Sequence, residues 1–465
     1  MTESHQRALA SAALYAPFVV FLIVYAPAVG HGFISDDFRW IVESRIAQPA
    51  DLVRTFSRNT GFYRPMVALT FAADYAAFGS EPFGYGVTNL ALAIGCAVLL
   101  FVLIRGLRLP KEAAAFGAAL WLLHFHGSQM AILWISGRTA LVLVAASLAA
   151  AISLLRARLL LAALFLLVAL FAKEEAIALP LILLIWLVVL RRGSPSPPKV
   201  HPGIWFAVSC AALAVYVVFR ARSGAMTPGN VPSYYQFTFA PAAVADNLLE
   251  YTDRTLTFPA AVCLLAFLLL RPAWRSIEVS RPTIVCGIAW ILGGYALTMF
   301  LPVRSSLYAC FPSIGASILA AEIGTALWRH APRTGRLRAA AAAIAVVIAL
   351  IPFYRARNHR WVDLADFSSS VLAQLRRSTA SLPDGARVVL IDERDKRINL
   401  EAAFGTLIND AWRLQNGRPL DVWIEPPLRY APPGARPCPT CAALTLQLKD
   451  GVIVPTQRRD PPRTD

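Results

Sequence analysis

Two adjacent aspartates, Asp36 and Asp37, stand in the stretch GHGFISDDFRW, directly after an apolar run. A carboxylate at such a position can act as a general base, or it can bind a metal or a substrate hydroxyl. The pair also suits a helix start, because Ser35 or Asp36 would cap the helix and acids in its first turn favour the helix dipole. The sequence leaves both interpretations open.

Four cations lie near the ends of apolar segments further along the chain: Arg64 in FYRPMVALTF, Arg138 in WISGR, Lys173 in AKEEA and Arg304 in RSSLY. Cationic side chains at these positions can bind a phosphate group, and the planar fork of arginine matches phosphate oxygens well. The alternative for the arginines is snorkelling towards water, with Pro65 opening a helix at its first turn. The alternative for the AKEEA segment is a solvated turn, which fits Glu175 better than Lys173.

Other polar residues near these cations form a supporting set: Tyr63, Glu174, Tyr308 and His126. The motif HFH contains two histidines, His124 and His126, which would suit a metal. Two residues spaced i, i+2 on a helix do not face one point, however. We therefore assign no metal ligands, and the sequence leaves open whether a divalent metal takes part.

The elements that must position these residues are membrane-spanning helices. The chain has 465 residues, of which 57% are hydrophobic and 15% charged, and its mean hydropathy is +0.55. An ordinary soluble domain has about a quarter of its residues charged. The apolar residues occur in blocks long enough to cross a bilayer as helices. We predict an all-α polytopic membrane protein with about eleven spans, at 11–30, 86–104, 112–126, 131–154, 159–172, 175–190, 203–220, 256–270, 283–302, 305–324 and 338–353. The apolar segment 65–78 is too short to span and is predicted to lie at the interface or to re-enter.

The net charge of +16 follows from arginines and lysines clustered in alternate short links between the spans. This is the positive-inside pattern of a cytoplasmic (inner) membrane protein, and no basic run with interleaved aromatics indicates a nucleic-acid partner. We predict the N-terminus inside, residues 191–199 inside, and residues 31–85 and 354–465 outside. The first apolar run is longer than the core of a signal peptide, so we interpret it as a retained span. All the candidate residues then fall at outer ends of spans.

Residues 362–465 are polar and are predicted to form a small extracytoplasmic α/β domain, separate from the membrane domain at 1–361. RVVLID (387–392) and LDVWIE (420–425) are typical of strands, and residues 443–456 alternate around Asp450-Gly451, which predicts a hairpin. A helix is predicted over 399–417, ended by Gly417. CPTC at 438–441 favours a local disulfide over a redox helix or a zinc site.

The motifs, in this order, resemble those of the GT-C membrane glycosyltransferases, and most closely the protein O-mannosyltransferase-like group with the transmembrane O-mannosyltransferases and their bacterial relatives. The resemblance covers about 12–363. It consists of SDD after the first span, then YRPM, FGSEPFGYGVTN (78–89), WISGR, AKEE, RSSLYACFPSIG and RARNHRWVD (355–363). The chain departs from the family at Gly86 and Ala93, where the family often has histidine, and at Met130, where it often has an acid.

The resemblance implies a GT-C-like fold and an enzyme that transfers a sugar from a polyprenyl-phosphate donor to a hydroxyl of a glycan, lipid or protein. It places the reaction at the outer face of the cytoplasmic membrane, with the first outer loop (31–85) carrying the catalytic acid, Asp36 or Asp37. The donor phosphate is then held by the four cations: Arg64, Arg138, Lys173 and Arg304.

Two other functions remain as alternatives. A non-catalytic membrane protein or a transporter of lipid-linked saccharides is the first, but transporters typically contain internal repeats and ionisable residues at the membrane midplane. An assembly protein anchored by its membrane part is the second, although one helix is enough for an anchor. The charges predicted to share one face favour the enzyme.

Overall fold

The computed structural model of the chain describes residues 3–58, 62–194, 197–225, 235–272, 277–392, 396–425 and 442–456. Helices make up most of this part of the chain, and strands near the C-terminus form a small sheet. The CPTC motif at 438–441 lies outside the described residues, as do residues 195 and 196 of the predicted cytoplasmic link.

Helices follow one another from the N-terminus to residue 378. In the first part of the chain they are α1 (Glu3–Tyr25), α2 (Asp36–Glu43), α3 (Pro49–Thr55), α4 (Pro65–Phe78), α5 (Pro82–Gly106), α6 (Lys111–Leu122), α7 (Gly127–Leu133), α8 (Arg138–Leu155) and α9 (Leu159–Leu170). They continue with α10 (Leu179–Gly193), α11 (Pro202–Arg222), α12 (Pro241–Leu270), α13 (Arg281–Tyr295), α14 (Ser313–Arg329), α15 (Arg333–Ala349) and α16 (Ile351–Ser378). Several begin at proline, which suits the first helical position because its missing N–H would have no partner there. The predicted helix start at Pro65 is confirmed.

Within the described ranges, seven helical segments are long and apolar enough to cross a membrane: Ser11–Ala28, Pro82–Gly106, Ile135–Leu155, Glu174–Gly193, Pro202–Arg222, Pro241–Leu270 and Arg333–Ser378. The chain therefore has the helices of a polytopic membrane protein, but the predicted number of about eleven spans is not confirmed. Helices α6 and α9 have 12 residues each, and α13 and α14 have 15 and 17. A full span needs about 20 residues, and apolar composition alone does not separate a span from a buried core helix.

The chain divides into two compact units. Unit 1 contains residues 1–27, 52–67 and 87–356, and unit 2 contains residues 28–51, 68–86 and 357–465. The sequence predicted one boundary at 361/362, with the loop 31–85 as part of the membrane domain. In the structure, most of that loop belongs to the same compact unit as the C-terminal region.

Unit 1 is a helical bundle in which close helix contacts are made by small residues. Where α13 meets α14, a side-chain carbon added at Gly315 would lie 2.4 Å from the carbonyl oxygen of Gly287. Small residues allow such backbone approach between membrane helices. A buried tryptophan also forms a hydrogen bond in this region: Nε1 of Trp290 donates to the carbonyl of Phe311 at 3.0 Å. These two helices flank the segment of the chain that contains Arg304.

Unit 2 contains a four-stranded sheet in the order β2–β1–β3–β4, formed by β1 (Arg387–Ile391), β2 (Asp421–Glu425), β3 (Leu444–Lys449) and β4 (Val452–Pro455). β1 pairs in parallel with β2 and β3, and β3 pairs antiparallel with β4. Helices α17 (Leu400–Phe404) and α18 (Ile408–Asn416) connect β1 to β2. The predicted α/β architecture of the C-terminal region is confirmed.

Local signals predicted the turns of this region well. Asp450 and Gly451 both have positive φ, +49° and +78°, as a tight two-residue hairpin turn requires. Gly417 ends α18 with φ +70°, as predicted. The single helix predicted over 399–417 is wrong, because Gly405 with φ +51° separates α17 from α18.

Candidate functional site

The acid pair lies in unit 2, where Asp36 and Asp37 are the first residues of α2. Asp37 is buried, and its Oδ2 accepts a hydrogen bond from the backbone N–H of Ile34 at 3.0 Å. Asp36 is exposed. Of the two residues expected as helix caps, Ser35 stands at the N-cap position without a side-chain capping bond to any described residue. Asp37 stabilises the turn, whereas Asp36 faces solution.

Arg64 lies in unit 1, immediately before α4, and pairs with Glu174. Its Nε and Nη2 donate to Oε2 of Glu174 at 3.1 and 2.8 Å. The other carboxylate oxygen, Oε1, lies 3.4 Å from Nη1 of Arg220. Burial disfavours the charged guanidinium, but Glu174 outweighs it, so that the pKa of Arg64 lies above its ordinary value. Two guanidinium groups share one carboxylate here, which leaves a surplus of positive charge.

Aromatic side chains support this pair of arginines. Tyr216 accepts a hydrogen bond from Nη1 of Arg220 at 2.7 Å, and its ring lies 6.3 Å from the ring of Tyr63. The Tyr63 hydroxyl donates to the carbonyl of Phe56 at 2.9 Å, and burial raises the pKa of Tyr63 to about 12. Tyr63, predicted as a supporting residue, is thus a protonated phenol that fixes the backbone before Arg64.

Lys173 and Glu175 form a buried ion pair beside Glu174. The Lys173 ammonium lies 2.6 Å from Oε2 of Glu175 and 5.0 Å from the ring centre of Tyr308. Among the residues that the structure describes, Oε1 of Glu175 has no hydrogen-bond partner. The interpretation of Glu175 as part of a solvated turn is wrong. Residues 174–178 form a 3₁₀ turn, which points successive side chains in different directions, so that Glu175 faces the interior.

We call this set the cationic cluster: Arg64, Lys173, Glu174, Glu175, Arg220 and Tyr308. Arg64 and Glu174 are 110 residues apart in the chain, and Tyr308 comes from a third motif. Three of the motifs that the sequence analysis singled out therefore meet in one place within unit 1.

Arg138 is fully buried at the start of α8. Its Nε donates to Oδ1 of Asn89 at 2.8 Å. The amide of Asn89 in turn donates towards backbone carbonyls between residues 131 and 135, at 3.2 to 3.5 Å. Arg138 therefore does not snorkel, and its predicted contact with a donor phosphate stays a prediction.

Arg304 lies against α12. Its Nε donates to Oδ1 of Asn247 at 2.8 Å, and its terminal nitrogens lie 3.6 Å from carboxylate oxygens of Asp246 and Glu250. These two acids offset its charge, so Arg304 offers less attraction for a phosphate than the arginines of the cationic cluster. Its role in phosphate binding stays a prediction.

The histidines of HFH have separate surroundings. His124 is buried, and its Nε2 lies 3.2 Å from the carbonyl oxygen of Thr255. His126 stands at the N-cap position of α7, and its ring lies 4.6 Å from that of Phe125. Within the described ranges, no three His, Cys, Asp or Glu residues are grouped so that they could hold a metal ion.

One departure from the family pattern has a physical reason in unit 2. A side-chain carbon at Gly86 would lie 2.0 Å from the carbonyl oxygen of Val29, so this backbone leaves no room for the histidine that the family often has there. Ala93, the second such position, is fully buried in unit 1.

Arg220, Asn89 and Asn247 were not among the site residues predicted from the sequence. Arg220 left a signal, because the predicted orientation places it at an outer end of a span, where the positive-inside pattern disfavours arginine. An arginine or lysine at the outer end of a span is therefore a candidate for pairing with a specific acid or ligand. Asn89 also left a signal, because it ends FGSEPFGYGVTN, a segment that carries part of the family resemblance. Asn247 left none, since a buried amide is recognised only by the partners that the fold brings to it.

No protein-family model matches the chain, and no curated protein matches it. Membership of a family is therefore not shown.

Proposed function

We propose that this protein is a GT-C-type glycosyltransferase that transfers a sugar from a polyprenyl-phosphate donor to an acceptor hydroxyl. The observation that carries the proposal is the cationic cluster, in which Arg64 pairs with Glu174 while Lys173 lies over Tyr308. Motifs that resemble the family in sequence thus supply side chains to one place. Such convergence is what a site for one ligand group requires.

The charges of the cluster suit a phosphodiester. Arg64, Lys173 and Arg220 carry three positive charges against two from Glu174 and Glu175, which leaves one to balance a singly charged donor. The side chains of Arg64 and Arg220 are 14% and 19% exposed, so a ligand can reach them. Guanidinium groups fixed in advance stabilise the charge that develops on the departing polyprenyl phosphate.

The catalytic base in this proposal is Asp36, with Asp37 as the residue that holds its turn. The exposed Asp36 carboxylate takes the proton of the acceptor hydroxyl. The acceptor oxygen bonds to the anomeric carbon as the bond from that carbon to the phosphate oxygen breaks, and the sugar inverts. The products are the glycosylated acceptor and the polyprenyl phosphate.

The proposed location is the outer face of the cytoplasmic membrane, with the N-terminus inside and the C-terminus outside. The support is the alternation of basic links along the chain, together with helices of spanning length and composition. Membrane lipids would then surround the helices of unit 1, and the acceptor would be a glycan, lipid or protein outside the cytoplasm.

The experiment is a lipid profile of a strain that lacks this protein. We expect a polyprenyl-phosphate sugar to accumulate, and we expect wild-type protein, but not Arg64→Gln, to clear it. Arg156→Gln is the matched control, because Arg156 is exposed and lies in a predicted cytoplasmic link. Purified protein in vesicles then separates the alternatives: loss of donor with release of polyprenyl phosphate supports the enzyme, whereas movement of intact donor across the bilayer would establish the transporter.

A further inference from the structure

The turn that carries the acid pair is anchored at several points to the C-terminal part of unit 2. Before the pair, a side-chain carbon added at Gly32 would lie 2.5 Å from the hydroxyl of Ser369 and 3.2 Å from the carbonyl of Ala365. The backbone of residue 32 therefore runs directly against α16. A side chain at residue 32 would require the Ser369 hydroxyl to move and the helix to shift by a few tenths of an ångström.

The residue immediately before the pair is held by α17. Ser35 has φ +48°, a conformation that side-chain-bearing residues rarely adopt and that the surrounding structure has to impose. Its N–H donates to the carbonyl of Ala403 at 2.7 Å. This bond gives the N–H of the strained residue a partner. Its acceptor, Ala403, lies about 370 residues further along the chain.

The residues immediately after the pair are held by α17 and α18. Phe38 and Phe404 are both fully buried and stack with ring centres 5.8 Å apart. Nε of Arg39 lies 3.5 Å from Oδ2 of Asp410. The first turn of α2 is therefore fixed on both sides of Asp36 and Asp37 by the region that the sequence analysis separated from it.

We infer that the C-terminal α/β region is a positioning element for the acid pair, with Phe404 and Asp410 as its positioning residues. The inference rests on the proposed function in so far as it makes Asp36 the base. In this inference the α/β region orients the acid pair for the reaction and does not serve to bind a separate ligand. These contacts add to the hydrogen bond between Asp37 and Ile34 within the turn. Without them the strained conformation of Ser35 and the direction of the Asp36 carboxylate are held less firmly.

The test measures hydrogen–deuterium exchange and donor turnover on the full-length protein in detergent. In Phe404→Ala we expect the amides of residues 34–40 to exchange at least about tenfold faster, because local opening becomes easier when a buried stack is removed. With the donor that accumulates in the deletion strain, kcat should fall while KM for the donor stays close to wild type. Val389→Ala, in the central strand of the sheet, is the control that weakens the region without removing the stack. Unchanged exchange and unchanged kcat in Phe404→Ala would overturn the inference.

A second set of variants applies if Phe404→Ala does not accumulate. Arg39→Asp and Asp410→Arg should each speed exchange in residues 34–40 by about two- to five-fold, as expected for a partly exposed ion pair. The double variant should restore the slow exchange, and additive effects would overturn the inference. If the wild type consumes no donor, the proposed function fails, whereas the exchange data still decide whether the α/β region holds the turn.

Discussion

Arg64 donates two hydrogen bonds to one oxygen of Glu174, from Nε at 3.1 Å and from Nη2 at 2.8 Å. The second oxygen of that carboxylate is left for Arg220 at 3.4 Å. One acid therefore holds two arginines from distant parts of the chain. The arrangement makes Glu174 the residue on which the order of the cluster depends.

The first prediction is an order of stabilities. Glu174→Gln should destabilise the protein by about 2–3 kcal/mol, because it leaves two partly buried guanidinium groups without their acid. Arg64→Gln and Arg220→Gln should each cost about 1 kcal/mol, since the other arginine still pairs with Glu174. Thermal unfolding of the purified variants in detergent gives the order. An equal loss in all three variants would show that Glu174 is not shared.

The second prediction concerns the buried pair of Lys173 and Glu175. Lys173→Met or Glu175→Met alone should cost about 3–5 kcal/mol, because each leaves a buried charge without its partner. The double variant should recover most of this loss. The control pair is Lys111 and Glu112, which is 76% and 58% exposed with its charges 4.0 Å apart, and there Glu112→Gln should cost less than about 0.5 kcal/mol. The double variant contradicts the prediction if it is as unstable as the sum of the two single variants.

The third prediction is the topology of the chain. Alkaline phosphatase fused at residue 60 or 384 should be active, and a fluorescent protein fused at residue 195 should be bright. The alternation of basic links is the reason. Residue 384 is chosen because it follows α16, which ends at Ser378, so the fusion leaves that helix intact. Phosphatase activity at 195 would reverse the orientation.

The fourth prediction is a pH dependence in the hairpin of unit 2. Lys396 lies 2.6 Å from Asp450 and, through this hydrogen bond and its charge, lowers the pKa of the Asp450 carboxyl below its ordinary value. Because the pKa of Asp450 is lowered, the contact stabilises the folded protein at any pH above the ordinary carboxyl pKa. This stabilisation is lost as the pH falls through the pKa that Asp450 has in the folded protein. An NMR titration of labelled aspartates should show the Asp450 pKa rising towards the ordinary value in Lys396→Met. An unchanged pKa would mean that Lys396 does not contact Asp450 in solution.

Features set by neighbouring residues could be predicted from the sequence. The hairpin at Asp450-Gly451, the strand that begins at Arg387 and the helix start at Pro65 all depend on local backbone preferences. The number of spans could not be predicted in the same way. An apolar helix such as α6, with most of its residues buried, has the composition of a span because the interior of a bundle is as apolar as lipid.

Features set by distant residues could not be predicted from the sequence. Glu175 is buried because Lys173 accompanies it into the interior, and nothing in the letters AKEEA separates it from its less buried neighbour Glu174. Ser35 adopts its strained conformation beside Ala403, a partner that no pattern near residue 35 indicates. Candidate residues were found by type and position, whereas their partners required the fold.

The fifth prediction separates the roles of Asp36 and Asp37. Asp37→Asn should accumulate normally, because an asparagine oxygen can still accept the hydrogen bond from Ile34, whereas Asp37→Ala should lose about 1 kcal/mol of stability as a lost cap does. Asp36→Asn should also accumulate normally, since Asp36 is exposed. Its sugar transfer should nevertheless fall by about 10²–10⁴-fold, the usual effect of removing a general base. Membrane levels and donor turnover are measured on the same preparations, so that folding and chemistry are compared directly. If Asp36→Asn, Asp37→Asn and the double variant all transfer sugar at the wild-type rate, the acid pair has only a structural role at the start of α2.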